Sequence, residues 1–226
     1  MSGIKILSTI GMRTVLEEVT PAFERQNGVT VTRVYDSSIA LMKRIAAGET
    51  GDAAVFTAGA IDELIARGRI ANRIDLTRSF VGIAVRKGAQ QPDISTPDAF
   101  KNALLAAPSV AFLPASAAGA YVTKMFERLG ISEEMKAKTK VQAAPAQIAP
   151  AVAKGEAELG VFLTNVLLAP GVELVGPFPG ELQQELVFTS AVAADAKEAD
   201  AAKALIDYLR THEATAVIKA AGMTPG

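Results

Sequence analysis

Three clusters of small and hydroxyl residues stand where an apolar run ends and a helical pattern begins. Ser8-Thr9-Ile10-Gly11 follows Ile4-Lys5-Ile6-Leu7, Asp36-Ser37-Ser38 follows the alternating run 29–35, and Pro114-Ala115-Ser116-Ala117-Ala118-Gly119 follows Val110-Ala111-Phe112-Leu113. A strand that turns directly into a helix aims unpaired backbone N–H groups and the positive end of the helix dipole at one spot, and a hydroxyl there adds a further donor. That is chemistry for holding an anion, and three such mouths in one chain imply a single binding cleft. Arg13, one turn into the first helix, and Arg78, just before an apolar strand, add guanidinium groups whose fork matches a carboxylate. Plainer roles compete for the same residues. Ser37 and Ser38 also read as an ordinary helix N-cap, and arginines on an α/β surface are commonly solvated.

Composition narrows the chemistry. The chain has 226 residues, 50% of them hydrophobic, with 23 basic and 24 acidic side chains and a net charge of −1, which describes a soluble globular protein with no general attraction for nucleic acid or anionic membrane. The absence of cysteine removes disulfides and thiolate metal sites, and one histidine leaves neither a histidine-rich metal centre nor a Ser-His-Asp triad. That residue, His212, reads as an exposed group at a helix start. Tyr121 and the methionines at 12, 42 and 125 read as packing, and Asp52 as a tie between loops. No paired carboxylates at catalytic spacing, phosphate loop or dinucleotide fingerprint is present, so no metal or cofactor is expected. No segment reaches the roughly 20 apolar residues that span a bilayer. The start of the sequence has no export-signal pattern, so the chain as written is expected to be cytoplasmic, or periplasmic if a signal peptide has been removed.

The elements that must position these groups alternate between strand and helix, the grammar of an α/β fold. Expected elements are strands at 4–9, 29–35, 53–57, 80–85, 110–113, 140–142, 159–163, 172–175 and 185–192. The expected helices are 11–26, 38–47, 59–67, 97–105, 121–129, 147–154, 199–210 and 213–221. Val15, Leu16, Val19 and Phe23 have the spacing of a buried helical stripe, with a bend or break expected at Pro21. No linker separates domains, so two lobes joined by continuous strands are expected, with crossovers near 79–85 and 186–192. The boundaries read as residues 1–79 plus 189–226 for lobe 1 and 80–188 for lobe 2.

Asp36-Ser37-Ser38 followed by 41–48, Gly51-Asp52-Ala53-Ala54-Val55, Gly155-Glu156-Ala157-Glu158-Leu159-Gly160-Val161 and Asp207-Tyr208-Leu209, together with the opening turn, occur in an order that resembles the molybdate-type substrate-binding proteins of ABC transporters. The resemblance covers nearly the whole chain. It implies the two-lobed periplasmic-binding-protein type II fold, each lobe a mixed sheet flanked by helices, with the ligand cleft between the lobes. It also implies oxyanion ligands at Gly11, at Ser38 and at the amide of Ala118 or Gly119. The chain departs from the family pattern where a backbone donor falls on Pro145, which has no N–H, and where the ligand tyrosine falls on Leu163. Thr164 and Asn165 are the nearest polar replacements. Gly11 keeps an amide but lacks the family's hydroxyl, which Ser8 and Thr9 flank.

Those departures favour an organic carboxylate over molybdate, because a dehydrated tetrahedral dianion needs nearly every oxygen satisfied. The expected function is therefore capture of a small anion, with an ABC permease as the implied partner. The alternative is an isomerase of an unsaturated carboxylate, similar to the aconitate-isomerase-like relatives on this fold. Arg78 would then anchor a carboxylate, and Ser8, Thr9, Ser38 or Ser116 would have to move a proton.

Overall fold

Strand order follows from where the apolar runs lie. The computed structural model describes residues 3–71 and 73–226; Met1 and Ser2, which open the expected lobe 1 and the sequence stretch searched for an export signal, lie outside the described residues. In chain order the elements are β1 (Gly3–Thr9), α1 (Arg13–Asn27), β2 (Thr30–Asp36), α2 (Ser38–Ala46), β3 (Ala53–Thr57), α3 (Ala58–Ala66), β4 (Ile74–Arg86), α4 (Pro97–Ala106) and β5 (Val110–Phe112). There follow α5 (Ala117–Leu129), α6 (Ser132–Lys138), β6 (Thr139–Val141), α7 (Ile148–Ala153), β7 (Leu159–Leu163), α8 (Thr164–Leu167), β8 (Val172–Pro177), β9 (Glu185–Val192), α9 (Ala199–Tyr208), α10 (His212–Ala220) and β10 (Thr224–Pro225). The chain forms two units. One is the stretch up to Arg78 with Val187–Gly226, the other Ser79–Leu186, so the chain passes from one to the other within β4 and back within β9.

In the first unit the strand order is β2-β1-β3-β9, with β1, β2 and β3 parallel and β9 antiparallel to β3. The register sets Leu7 opposite Val34 and Ala54, and Ala54 opposite Ala191, so these side chains share a face. That face packs on Leu41 of α2 and on Ile61 and Leu64 of α3, all at most 2% exposed. Each such buried aliphatic side chain contributes about 1.5–3 kcal/mol. Helices α1, α9 and α10 pack together, α9 also touches β3, and the rings of Phe23 and Tyr208 lie 5.5 Å apart.

α1 buries Val15, Leu16, Val19 and Phe23 and ends at Gly28, whose left-handed φ of 65° lets its N–H reach the Glu24 carbonyl. Of the bend or break expected at Pro21, no break occurs: α1 runs through it. Proline costs one hydrogen bond, to the Glu17 carbonyl on the exposed side, while the buried stripe on both sides of it holds the helix on the core. Thr20 Oγ1, on the buried side, donates to Leu16 O at 2.6 Å.

Asp52, 8% exposed, fastens the opposite end of this sheet. Its carboxylate accepts the backbone N–H groups of Lys5 at 2.8 Å, Lys197 at 2.9 Å and Glu198 at 3.2 Å. It ties β1 and the start of β3 to the segment that leads into α9.

In the second unit the order is β4-β7-β5-β6, with β8 also paired to β4. Val81–Val85 pairs antiparallel with Leu159–Leu163, both stretches buried throughout, which matches their unbroken apolar sequence. β4 begins at Ile74, well before the expected residue 80, because Leu76 and Thr77 are buried and β10 pairs with Thr77 and Arg78. Thr77 Oγ1 donates to Thr224 O at 2.7 Å. The short elements α6, α8 and β10 lie outside the expected set. No helix among the described residues is long and apolar enough to cross a membrane.

Candidate functional site

Because β1, β2 and β3 are parallel, their C-terminal ends and the helices that follow lie on one edge of the first unit's sheet, where α/β proteins bind ligands. Thr9 is level with Asp36, and Ser8 with Val55. Ser8 and Thr9 are buried, Gly11 is buried in the 3-10 turn Ile10–Met12, and Ser38 is 5% exposed at the first position of α2. Ser8 Oγ donates to Thr9 O at 3.2 Å. Ser37 is the N-cap of α2, its Oγ accepting the Ala40 N–H at 3.2 Å, so its hydroxyl oxygen serves the helix.

Ser38 Oγ behaves differently. It accepts the backbone N–H of Thr57 at 3.4 Å and lies 3.4 Å from Thr57 Oγ1. Thr57 closes β3 and precedes α3, so it is absent from the expected site yet stands beside Ser38. The signal is present in Thr57-Ala58-Gly59, which repeats the strand-to-hydroxyl-to-small-residue grammar of the opening turn.

Arg13 is exposed, with Nε 3.0 Å from Glu17 Oε1 and its guanidinium 5.6 Å from the centre of the Tyr35 ring. Burial pushes the Tyr35 hydroxyl up to about 12, and Glu17 adds to this while Arg33 and Arg13 oppose it. The Tyr35 hydroxyl is buried and has no hydrogen-bond partner among the described residues. Arg78 is half-buried in β4, opposite Thr224.

In the second unit β5 and β7 are parallel, with Ala111 level with Gly160, so α5 and α8 start at neighbouring strand ends. Ser116 caps α5. Its Oγ accepts the Gly119 N–H at 3.0 Å and donates to Leu113 O at 2.9 Å. The Gly119 amide is thus committed to the cap, and Ala118, 2% exposed, supplies the adjacent amide of the same turn. Gly119 has a packing reason of its own, since a Cβ there would sit 1.7 Å from the Leu113 carbonyl oxygen. Thr164, 6% exposed, opens α8, and Asn165 Oδ1 accepts from Ser79 Oγ at 2.6 Å. Pro145 is buried at the head of the 3-10 turn Pro145–Gln147, and Leu163 is buried at the end of β7 opposite Val81. No cluster of three or more His, Cys, Asp or Glu side chains suited to a metal ion occurs among the described residues.

Two α/β units connected through shared strands, with hydroxyl groups and helix starts at parallel strand ends, define the class as the type II periplasmic-binding-protein fold. The structure superposes on the periplasmic molybdate-binding protein of Azotobacter vinelandii with a TM-score of 0.81, at 18% identity over 98% of each chain. The chain belongs to the family of bacterial extracellular solute-binding proteins, whose pattern matches residues 4–224. This places it among solute-binding proteins of the ABC-transporter type. Among curated proteins it is similar to the aconitate isomerase of a Pseudomonas species, 34% identical over 235 residues that cover 100% of this chain and 88% of the relative. It is also similar to the molybdate-binding protein ModA of Azotobacter vinelandii, 34% identical over 128 residues that cover 55% of this chain and 49% of the relative.

Proposed function

We propose that the chain captures a small organic carboxylate through hydroxyl groups and helix-start amides at its strand ends. The observation that carries the reading is the first unit's edge, where buried Ser8 and Thr9 end β1, buried Ser38 follows β2, and Thr57 stands 3.4 Å from Ser38. Neutral donors of this kind aim O–H and N–H groups at an anion, and helix N-termini add to the field. Arg78, in the same unit, is proposed as the cationic partner of a carboxylate, and Ala118, Thr164 and Asn165 are proposed as a polar set of the second unit in its own right. Pro145 and Leu163 remove two of the contacts that the molybdate-type pattern carries, which supports a carboxylate over a tetrahedral oxyanion. An ABC permease is the proposed partner of the loaded protein.

The reading is tested by isothermal titration of the full chain with molybdate, sulfate and a panel of di- and tricarboxylates. Saturable binding of a carboxylate that Ser38→Ala and Arg78→Ala each weaken supports it. Binding of molybdate with no carboxylate bound would replace it.

A second reading is favoured by one observation, the similarity to an aconitate isomerase along the whole chain. Here the bound carboxylate is an unsaturated tricarboxylate, Arg78 anchors it, and the helix starts stabilise the enolate-like charge formed when a proton leaves carbon. Proton NMR of cis- and trans-aconitate incubated with the protein in deuterated water separates the readings. Interconversion with deuterium uptake marks an isomerase, and unchanged ligand under conditions of saturation marks a binding protein.

A further inference from the structure

We propose that Thr57 is a ligand-contacting, specificity-determining residue whose hydroxyl works with that of Ser38 as a two-donor clamp on one carboxylate group. The proposal rests on the carboxylate reading above. Among the described residues five α-helices have a serine or threonine N-cap, at Ser37, Thr57, Thr96, Ser116 and Thr211. Four of these hydroxyls accept an N–H from the first turn of their own helix, at 3.0 to 3.4 Å. Thr57 makes no such bond. Its backbone is not the reason, because its φ of −64° and ψ of 147° match the −67° and 150° of Ser37, which does cap. The side chain of Thr57 therefore turns away from a stabilising role on α3 and toward Ser38.

The hydroxyl contact it makes there is long: Thr57 Oγ1 reaches Ser38 Oγ at 3.4 Å, beyond the usual hydroxyl hydrogen bond of about 2.7–2.8 Å, while its backbone N–H donates to the same oxygen at 3.4 Å. Two hydroxyls at this spacing hold each other weakly, but each can donate to a different oxygen of one carboxylate, or both to the same oxygen. Ser38 is 5% exposed, and Thr57 is half-buried. The nearby Asp36 carboxylate is occupied elsewhere, accepting the Ser37 N–H at 2.7 Å and lying 3.8 Å from Arg44. A neutral, under-bonded donor pair flanked by two helix starts is suited to a carboxylate that arrives already ionised.

The test titrates trans-aconitate into the full wild-type chain and into Thr57→Val, Thr57→Ser and Ser38→Ala, and records the melting temperature of each protein without ligand. Thr57→Val removes the hydroxyl at nearly constant shape, so affinity is expected to fall about tenfold or more, the equivalent of one charge-assisted hydrogen bond. Thr57→Ser should stay within about threefold of wild type, and the ligand-free melting temperature of Thr57→Val should match wild type because no cap is lost. Thr57→Val binding as tightly as wild type while Ser38→Ala is weakened would overturn the clamp and leave the carboxylate reading standing. Equal loss in Thr57→Val and Thr57→Ser, or a lower ligand-free melting temperature in Thr57→Val, would assign Thr57 a packing role and also overturn it. If wild type binds neither trans-aconitate nor any other member of the panel of di- and tricarboxylates, the carboxylate reading itself falls, and the clamp with it.

Discussion

Gly119 and Tyr35 show how single positions near the donor sets are constrained in opposite ways. A methyl group at 119 would overlap the Leu113 carbonyl at 1.7 Å, where backbone meets backbone and neither can yield cheaply. Gly119→Ala is therefore expected to cost more than ~3 kcal/mol, far above an average substitution, and a urea melt would register it as a lower midpoint at unchanged slope. Tyr35 carries a buried hydroxyl without a partner among the described residues, so Tyr35→Phe should leave stability unchanged or raise it. Its titration gives a second, signed expectation. Burial raises the folded-state value from 10.0 to about 12, so the folded protein holds this proton more tightly than the unfolded chain does. The resulting stability is present below pH 10 and is lost as pH rises from 10 toward 12, and the loss should be shallower in Tyr35→Phe. A fluorescence-detected melting series across that window compares the two proteins.

Among the elements, Asp52 is the tie whose removal should be felt across the most sequence. Three backbone N–H groups, from residues 5, 197 and 198, converge on one buried carboxylate. Asp52→Ala strands those donors and is expected to destabilise by about 2–4 kcal/mol, with the local effect visible as faster amide hydrogen exchange at the start of α9. The sequence carries this tie only faintly, as an acidic residue placed before a strand. Strands buried on both faces, such as Leu159–Leu163, are legible because an unbroken apolar run of that length has few other homes. Pro21 misleads, since one lost hydrogen bond is weighed in the folded helix against a buried stripe whose neighbours lie far away in sequence. Ser116 and Ser37 read as anion donors, Ser37 also as a cap, and in the folded chain both hydroxyl oxygens accept a cap N–H; composition alone does not separate these roles. Thr57 is the converse case. Within Ala-Ala-Val-Phe-Thr it looks like an ordinary β-branched strand residue, and although Thr57-Ala58-Gly59 repeats the grammar of the opening turn, the fold alone sets it beside Ser38.

For the molecule as a whole, the chain passes twice between two units, within β4 and within β9, and donors lie on both. A ligand that binds only the folded chain stabilises it by about 2.7 kcal/mol at a hundredfold excess over its dissociation constant, which thermal melting detects directly. The central claim is that a small carboxylate is held through Ser38 and its neighbours. The most direct test is the melting temperature of wild type and Ser38→Ala with and without a saturating tricarboxylate, trans-aconitate first. The account predicts a rise of several degrees for wild type that is largely lost in Ser38→Ala, each rise being read against the same protein without ligand. An equal rise in both proteins, or a rise with molybdate and none with any carboxylate, would contradict it.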